Sequence, residues 1–131
     1  MNIRFSLLSV TAVMLAMFSA GCEENPADVA KNWHSAIMSG NLEKANSYVV
    51  ATKEAKAGNE MWLEIINALR KRSAADPEAK NALKKAEKAK FAQTAVDGDR
   101  ATVVISVKGE EATARILLRK FDGAWKIADI K

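Results

Sequence analysis

The spacing of apolar residues changes once along the 131-residue chain and divides it into a helical part and a sheet part. Between residues 26 and 90 the apolar residues recur every three or four positions, which is typical of helices with one buried face. From residue 91 onward they alternate with polar residues, which is typical of strands with one buried face. A long uncharged run precedes both parts at the N-terminus.

Two helices are predicted first, joined by a tight connection. The first begins at Asn25-Pro26, because asparagine is a good N-cap and proline is tolerated at the first helical position. It ends at Gly40, since a helix often stops at a left-handed glycine. Its apolar face consists of Val29, Ala30, Trp33, Ala36 and Ile37. Asn41 can cap a second helix, which has Leu42, Ala45, Tyr48 and Val49 on one side.

Two further helices complete the helical part. After a looser stretch at Gly58-Asn59, residues 61–69 form a third helix. Its apolar residues cover about half of the helix surface, so we expect it to be well buried. These residues are Met61, Trp62, Ile65, Ile66 and Leu69. Asp76-Pro77 repeats the cap-and-proline signal and begins a fourth helix, which runs to about residue 90. Its apolar side is thin, so we expect it to lie on the outside.

Four strands are predicted at residues 91–96, 101–107, 112–119 and 124–130. The turn signals between them are Asp97-Gly98-Asp99, Lys108-Gly109-Glu110 and Phe121-Asp122-Gly123. Helices followed by an antiparallel meander predict an α+β domain. One face of the sheet packs on the helices, and the other is mostly wet. The polar side chains on that second face are Thr102, Ser106, Thr113, Arg115 and Arg119.

The uncharged run at the N-terminus is typical of an export signal. Arg4 supplies a positive start, residues 5–21 carry no charge, and small residues precede Cys22, which is the only cysteine. Cleavage after Ala20 would leave bulky Phe18 at the third-last position, whereas cleavage after Gly21 leaves Cys22 first. The run of about 17 residues is at the short limit for crossing a bilayer. A retained membrane span is therefore the lesser alternative.

The segment Ser19-Ala20-Gly21-Cys22 resembles the lipobox of bacterial lipoproteins, in which leucine is commoner where Ser19 stands. The resemblance implies that the signal is cut before Cys22 and that this cysteine is diacylated on sulfur and acylated on its amine. Without lipidation an unpaired thiol in an exported chain would be anomalous. By analogy with enterobacterial sorting, Glu23 in place of aspartate favours the outer membrane, with the domain facing the periplasm.

The mature segment also resembles small bacterial lipoproteins of a domain-of-unknown-function family in the cystatin-like, nuclear-transport-factor-two-like superfold. The resemblance covers about residues 26–130 and rests on PADVAKNWHSAIMSGNLEKANSYV and VKGEEATARILLRKFDGAWKIADI. It implies a curved antiparallel sheet of about four strands that wraps the N-terminal helices into a cone, often with a pocket. That superfold includes enzymes and non-enzymes, so the resemblance indicates shape and not function. We therefore divide the chain into a signal peptide (1–21), a lipidated cysteine with a short tether (22–25) and a cystatin-like domain (26–131).

Charge adds one local feature. Residues 70–90 contain eight bases and three acids. Lys80, Lys84 and Lys88 form a stripe on the fourth helix, with Lys85 beside it. This stripe is either a solvated helix face or a contact for an anionic membrane surface, where each charge contributes about 1 kcal/mol. An acidic protein partner is a further alternative. Nucleic acid is not expected as a partner of an exported lipoprotein.

The candidate pocket residues are apolar. Trp33, Trp62 and Trp125 all fall on positions predicted to face the core. They either pack the core or, together with Met61 and Ile65, line a cavity in the cone. No metal or cofactor is expected, because His34 is the only histidine and the one cysteine has another use. We expect His34 to be a half-exposed polar residue beside the apolar stripe.

One carboxylate could support catalysis. Asp129 alternates in phase with Trp125 and Ile127, so it either points inward, where its pKa would be raised, or lies in solvent at a frayed strand end. We expect a membrane-anchored, non-catalytic binding or interaction module of the cell envelope, with a small apolar ligand or an envelope protein as partner. The alternatives are a small enzyme that uses an acidic residue in the cone and a purely structural envelope protein.

Overall fold

The computed structural model of the chain describes residues 24–107 and 114–131. The predicted signal peptide, Cys22 and Glu23 lie outside these ranges. The predicted turn at Lys108-Gly109-Glu110 and the first residues of the third predicted strand also lie outside them.

The described residues form four helices and then four strands. The helices are α1 (Pro26–Ser39), α2 (Leu42–Ser47), α3 (Lys53–Ser73) and α4 (Pro77–Glu87). The strands are β1 (Lys90–Asp97), β2 (Arg100–Ser106), β3 (Ala114–Phe121) and β4 (Ala124–Ile130). They make one open antiparallel sheet in the order β1-β2-β3-β4. The α+β arrangement predicted from the change of period is confirmed.

The helix ends follow from local capping chemistry. The Asn25 side chain accepts a hydrogen bond of 2.8 Å from the backbone N–H of Asp28, and Pro26 follows it as the first helical residue. Gly40 ends α1 in the left-handed conformation, with φ of 77°. Asn41 and Asp76 cap α2 and α4 in the same way as Asn25 caps α1. The predicted starts of these three helices are confirmed, and α4 ends at Glu87, a few residues before the predicted end.

The core lies between α1 and one face of the sheet. The described side chains that are most completely buried come from the two central strands: Val103, Ile116 and Leu118. Residues of α1 cover them, in particular Trp33 and Ile37. Burial of a large aliphatic side chain stabilises the fold by about 1.5–3 kcal/mol, so this layer contributes strongly to stability. On the opposite face of β3, Arg115 and Arg119 are exposed, as the alternation predicts.

Helix α3 differs from the prediction in its length and in the face that it buries. It begins at Lys53, so Gly58 and Asn59 are helical and not part of a loose connection. Its buried residues are Asn59, Leu63 and Ile66. The exposed fractions of Met61, Trp62 and Ile65 are 53%, 37% and 41%. The expectation that these three residues face the core is wrong, because the helix is rotated to bury the Asn59–Leu63 side.

A bulge in β4 reverses the alternation of its last residues. Leu118 pairs with Ile127, whereas the preceding Leu117 pairs with Asp129, so one extra residue is inserted in β4. Asp129 therefore lies opposite an outward residue and is exposed, while Ile130 packs against the core. Of the two alternatives for Asp129 the exposed one is found, and its cause is the bulge and not fraying.

The outer edge of β4 is partly covered by the segment after α2. Val49 forms a parallel bridge with Ile127. The backbone N–H of Val50 donates to the carbonyl of Ile127 at 2.9 Å, and the N–H of Ile127 donates to the carbonyl of Tyr48 at 2.8 Å. This pairing satisfies edge groups that would otherwise face solvent. It also fixes the start of α3 beside the end of β4.

Candidate functional site

A cleft of about 250 Å³ lies between the first half of α3 and the end of β4. The lining residues are Val49, Thr52, Glu54, Ala55, Gly58, Asn59, Trp62, Ile127, Ala128, Asp129 and Ile130. Typical small-molecule sites measure about 300–1,000 Å³, so this cleft has room for a short ligand or one side chain of a partner. We consider it the candidate functional site.

Three local features place the walls of the cleft. Thr52 caps α3, and its hydroxyl oxygen accepts from the backbone N–H of Ala55 at 3.1 Å. From this cap the helix carries Ala55, Gly58 and Trp62 along the side that lines the cleft. The bridge between Val49 and Ile127 holds the opposite side. The walls are therefore set by backbone pairing and helix phase.

A buried amide supports the cleft from beneath. The indole N–H of Trp33 donates to Oδ1 of Asn59 at 2.8 Å, and Nδ2 of Asn59 donates to Oδ1 of Asn46 at 2.9 Å. Asn59 is 2% exposed. A buried tryptophan N–H needs such an acceptor, because leaving it unpaired costs about 1–3 kcal/mol. The chain of hydrogen bonds joins α1, α2 and α3 at the site.

The lining of the cleft is acidic although the chain is basic. Glu54 and Asp129 belong to it, and the described lining residues include neither lysine nor arginine. The whole chain has a net charge of +4. A lining in which apolar side chains alternate with polar and acidic ones suits a ligand that has a short apolar body and a positive group. The arrangement can therefore select its ligand by charge as well as by shape.

The structure separates the five residues that were predicted to line one cavity. Trp33 and Trp125 are buried, as expected if they pack the core. Trp62 lines the cleft, and Met61 and Ile65 lie exposed on α3 outside the cleft lining. Sequence reasoning missed Asn59, which lines the cleft and accepts a hydrogen bond from Trp33. The spacing Ala55, Asn59, Leu63 and Ile66, together with the need of Trp33 for an acceptor, would have indicated it.

A second cleft of about 300 Å³ surrounds the first described residue. Its lining contains Glu24, Tyr48, Trp125 and Lys126, among others. Burial raises the pKa of Tyr48, and the negative charge of Glu24 adds to this effect. The ammonium of Lys126 donates to the carbonyl of Ser47 at 2.6 Å. This region joins the N-terminal end of the domain to the β3–β4 turn.

His34 is half-buried against the sheet and α4. Its ring lies 5.2 Å from that of Phe91, centroid to centroid, at an angle of 60°. Burial lowers the pKa of His34 from its usual 6.5, and a hydrogen bond with the backbone of Ala86 partly opposes this shift. The position beside the apolar stripe agrees with the sequence-based expectation.

The four lysines of the predicted anionic-surface contact, Lys80, Lys84, Lys85 and Lys88, are all exposed. Lys84, Lys85 and Lys88 border a shallow hollow together with Asn81 and Val107. Lys80 lies one turn earlier on α4. The proposed contact of this stripe with an anionic surface stays a prediction.

The described ranges contain neither a candidate metal cluster nor a helix suited to crossing a membrane. Within residues 24–107 and 114–131, histidine, cysteine and acidic side chains form no group of three that could hold a metal ion. In the same ranges, every helix is too short or too polar to cross a bilayer.

Comparison with known proteins identifies the family of the chain. A family model described as a domain of unknown function, DUF4878, matches residues 19–128. This range contains every described helix and nearly all of the sheet. The curated proteins and the solved structures give no match.

Proposed function

The chain belongs to the domain-of-unknown-function family DUF4878, and for this member we propose the function of a lipid-anchored binding protein of the bacterial cell envelope. Its ligand site is the cleft between α3 and β4. The observation that carries the proposal is a cleft that combines apolar side chains, a buried asparagine beneath them and two acidic lining residues in a basic chain. These features belong to a binding site that selects one class of ligand.

The ligand that suits the cleft has a short aliphatic body that ends in a cation. The volume of about 250 Å³ suits an aliphatic body of about six carbon atoms, since a cavity of about 150 Å³ already holds benzene. Glu54 and Asp129 supply the negative charge. A small alkylamine and the side chain of a lysine on an envelope protein share this chemistry. The ligand expected from the sequence is apolar, and the ligand proposed here is apolar with a positive group at one end.

The anchoring part of the proposal rests on the sequence. The uncharged run and the lipobox-like Ser19-Ala20-Gly21-Cys22 support export and lipidation, and Glu23 supports the outer membrane with the domain in the periplasm. The order of helices and then an antiparallel sheet supports the cystatin-like superfold. A lipid anchor keeps the binding domain at the membrane surface, where its partners are concentrated.

Gly58 provides the sharpest test of the binding site. It lies in α3 and lines the cleft, and a Cβ added there meets no atom within 4 Å. Gly58→Leu should therefore fill the cleft without disturbing the helix. Gly58→Ala is the matched control. Like Gly58→Leu it replaces glycine by a residue that favours the helix, but its small side chain fills little of the cleft.

The experiment is a titration of the mature protein and both variants with hexylamine and with hexanol, followed by tryptophan emission. Trp62 is the tryptophan most exposed to a ligand in the cleft. We expect hexylamine to bind more tightly than hexanol to the wild type and to Gly58→Ala, and binding to be lost in Gly58→Leu. Equal binding of the amine and the alcohol, or undiminished binding by Gly58→Leu, would contradict the proposal.

A further inference from the structure

Aromatic side chains surround the point at which the chain enters the domain. Glu24 shares the second cleft with Tyr48, Trp125 and Lys126. Its carboxylate accepts from Nδ2 of Asn32 at 2.8 Å, which holds Glu24 against α1. The entry point of the chain is therefore fixed beside the start of β4.

The β3–β4 turn presents a further aromatic side chain at this end. Phe121, the last residue of β3, is 47% exposed and pairs with Ala124, which lines the second cleft. The two residues between them have positive φ, 49° at Asp122 and 81° at Gly123, as in a tight hairpin turn. The ammonium of Lys120 lies 5.7 Å from the centroid of the Trp125 ring. Phe121 is thus held at the tip of a short hairpin.

The proposed lipid attachment lies very close to this end. Cys22 precedes Glu24 by two residues, so their Cα atoms are at most about 7–8 Å apart. The headgroup layer on each side of a bilayer is about 5–8 Å thick. Acyl chains on Cys22 would therefore bring Glu24 and its neighbours to the bilayer surface, whatever path the two residues take.

We propose that the end of the domain formed by Tyr48, Lys120, Phe121 and Lys126 lies against the lipid bilayer, with Phe121 in the headgroup layer. This inference rests on the proposed lipid anchor. Aromatic side chains favour the membrane interface. Lysines near anionic lipid contribute about 1 kcal/mol each, but here Glu24 and Asp122 offset them. The contact therefore depends on the tether and on the exposed ring of Phe121, with the partly exposed Tyr48 beside it, and only weakly on charge.

This orientation also determines where the binding cleft lies relative to the bilayer. Strand β4 begins at Ala124 in the membrane-facing end and finishes at Ile130 in the cleft between α3 and β4. At about 3.3 Å per residue the cleft lining on β4 begins about 10 Å from Ala124, at Ile127, and extends to about 20 Å, at Ile130. The proposed ligand site then lies in the aqueous phase, within reach of partners in the periplasm.

The test uses the full chain, processed in bacteria and reconstituted into vesicles of phosphatidylethanolamine and phosphatidylglycerol. Its mass reports whether Cys22 is acylated. Acylation consumes the only native thiol, so Phe121→Cys supplies a single labelling site for a fluorophore. Met61→Cys is the matched control, because Met61 is similarly exposed but lies on α3. Nitroxide-labelled headgroups should quench the fluorophore at position 121 and leave the fluorophore at position 61 unquenched. This difference should be the same in low and in high salt.

The outcomes separate the orientation from the anchor. An acylated protein with full emission at position 121 would overturn the orientation and leave the anchor intact. Loss of emission at position 61 instead would also overturn it and would place the apolar face of α3 on the bilayer. A mass without acyl chains would refute the proposed anchor, and the orientation with it.

Discussion

Asn59 shows how one polar residue can determine the packing of three helices. Its carbonyl oxygen accepts from Trp33 and its amino group donates to Asn46, so both ends of the amide are paired inside the fold. An apolar residue of the same size would fill the space but satisfy neither partner. Hydrophobic periodicity alone could not predict this site, because an asparagine lowers the apolar score of the face that it belongs to.

Replacement of Asn59 by leucine should destabilise the domain by about 1–3 kcal/mol, because the indole N–H of Trp33 loses its buried acceptor. Asn67→Leu is the matched control on the exposed side of α3 and should change stability by less than about 0.5 kcal/mol. Urea unfolding followed by circular dichroism measures both. The double variant Trp33→Phe/Asn59→Leu should lose less stability than the sum of the losses in the two single variants. Equal effects of the two asparagine variants would contradict this account.

His34 should make stability depend on pH in the direction set by burial. Because its pKa is lowered in the folded state, the unfolded chain binds the proton more readily. The stability that depends on neutral His34 is therefore fully present above about pH 6.5. It is lost as the pH drops from there to the pKa of His34 in the folded state. His34→Gln cannot titrate and should lose less stability across this window. Urea midpoints at pH values above and below 6.5 test this, and an identical decline in both proteins would rule out the role of His34.

At the scale of secondary-structure elements, the features fixed by neighbouring residues could be predicted and those fixed by distant contacts could not. The caps at Asn25 and Asp76 follow from local hydrogen bonding, so the sequence located these helix starts. The buried face of α3 depends on Trp33 in another helix. The bulge in β4 depends on its pairing with β3. A pattern read along one segment contains neither piece of information.

Two glycines in this fold should respond in opposite ways to the same substitution. A Cβ at Gly40 or at Gly58 meets no atom within 4 Å, so only the backbone conformation distinguishes them. Gly40 has φ of 77°, where alanine costs about 1–2 kcal/mol. Gly58 is helical, so alanine there should stabilise by about 0.4–1 kcal/mol. Thermal unfolding of the two variants measures this difference, and shifts of the same sign would show that the backbone is not the cause.

At the scale of the whole molecule, the candidate site is assembled from segments that are distant in the sequence. Val49 follows α2, Gly58 lies in α3 and Asp129 lies near the end of β4, yet all three line one cleft. No local motif connects them, which is why sequence reasoning proposed a cavity lined by tryptophans instead. The acidic lining also opposes the net charge of +4, so composition gave no indication of it.

The final prediction concerns the proposed lipid anchor and is tested on the intact chain in the cell. Cys22→Ser should abolish incorporation of labelled palmitate and leave unprocessed precursor, because serine offers no thiol for diacylation. Ser19→Leu is the control that moves the segment towards the commoner lipobox, and its labelling should persist.

Membrane fractionation alone would not decide this question. The uncut apolar run of about 17 residues could hold the Cys22→Ser precursor in the membrane without any lipid. If the protein is lipidated as proposed, each buried methylene contributes about 0.8 kcal/mol, so several acyl chains would give effectively permanent attachment. Both forms would then sediment with membranes for different reasons. Labelling distinguishes them, and palmitate on the serine variant would show that Cys22 is not the attachment site.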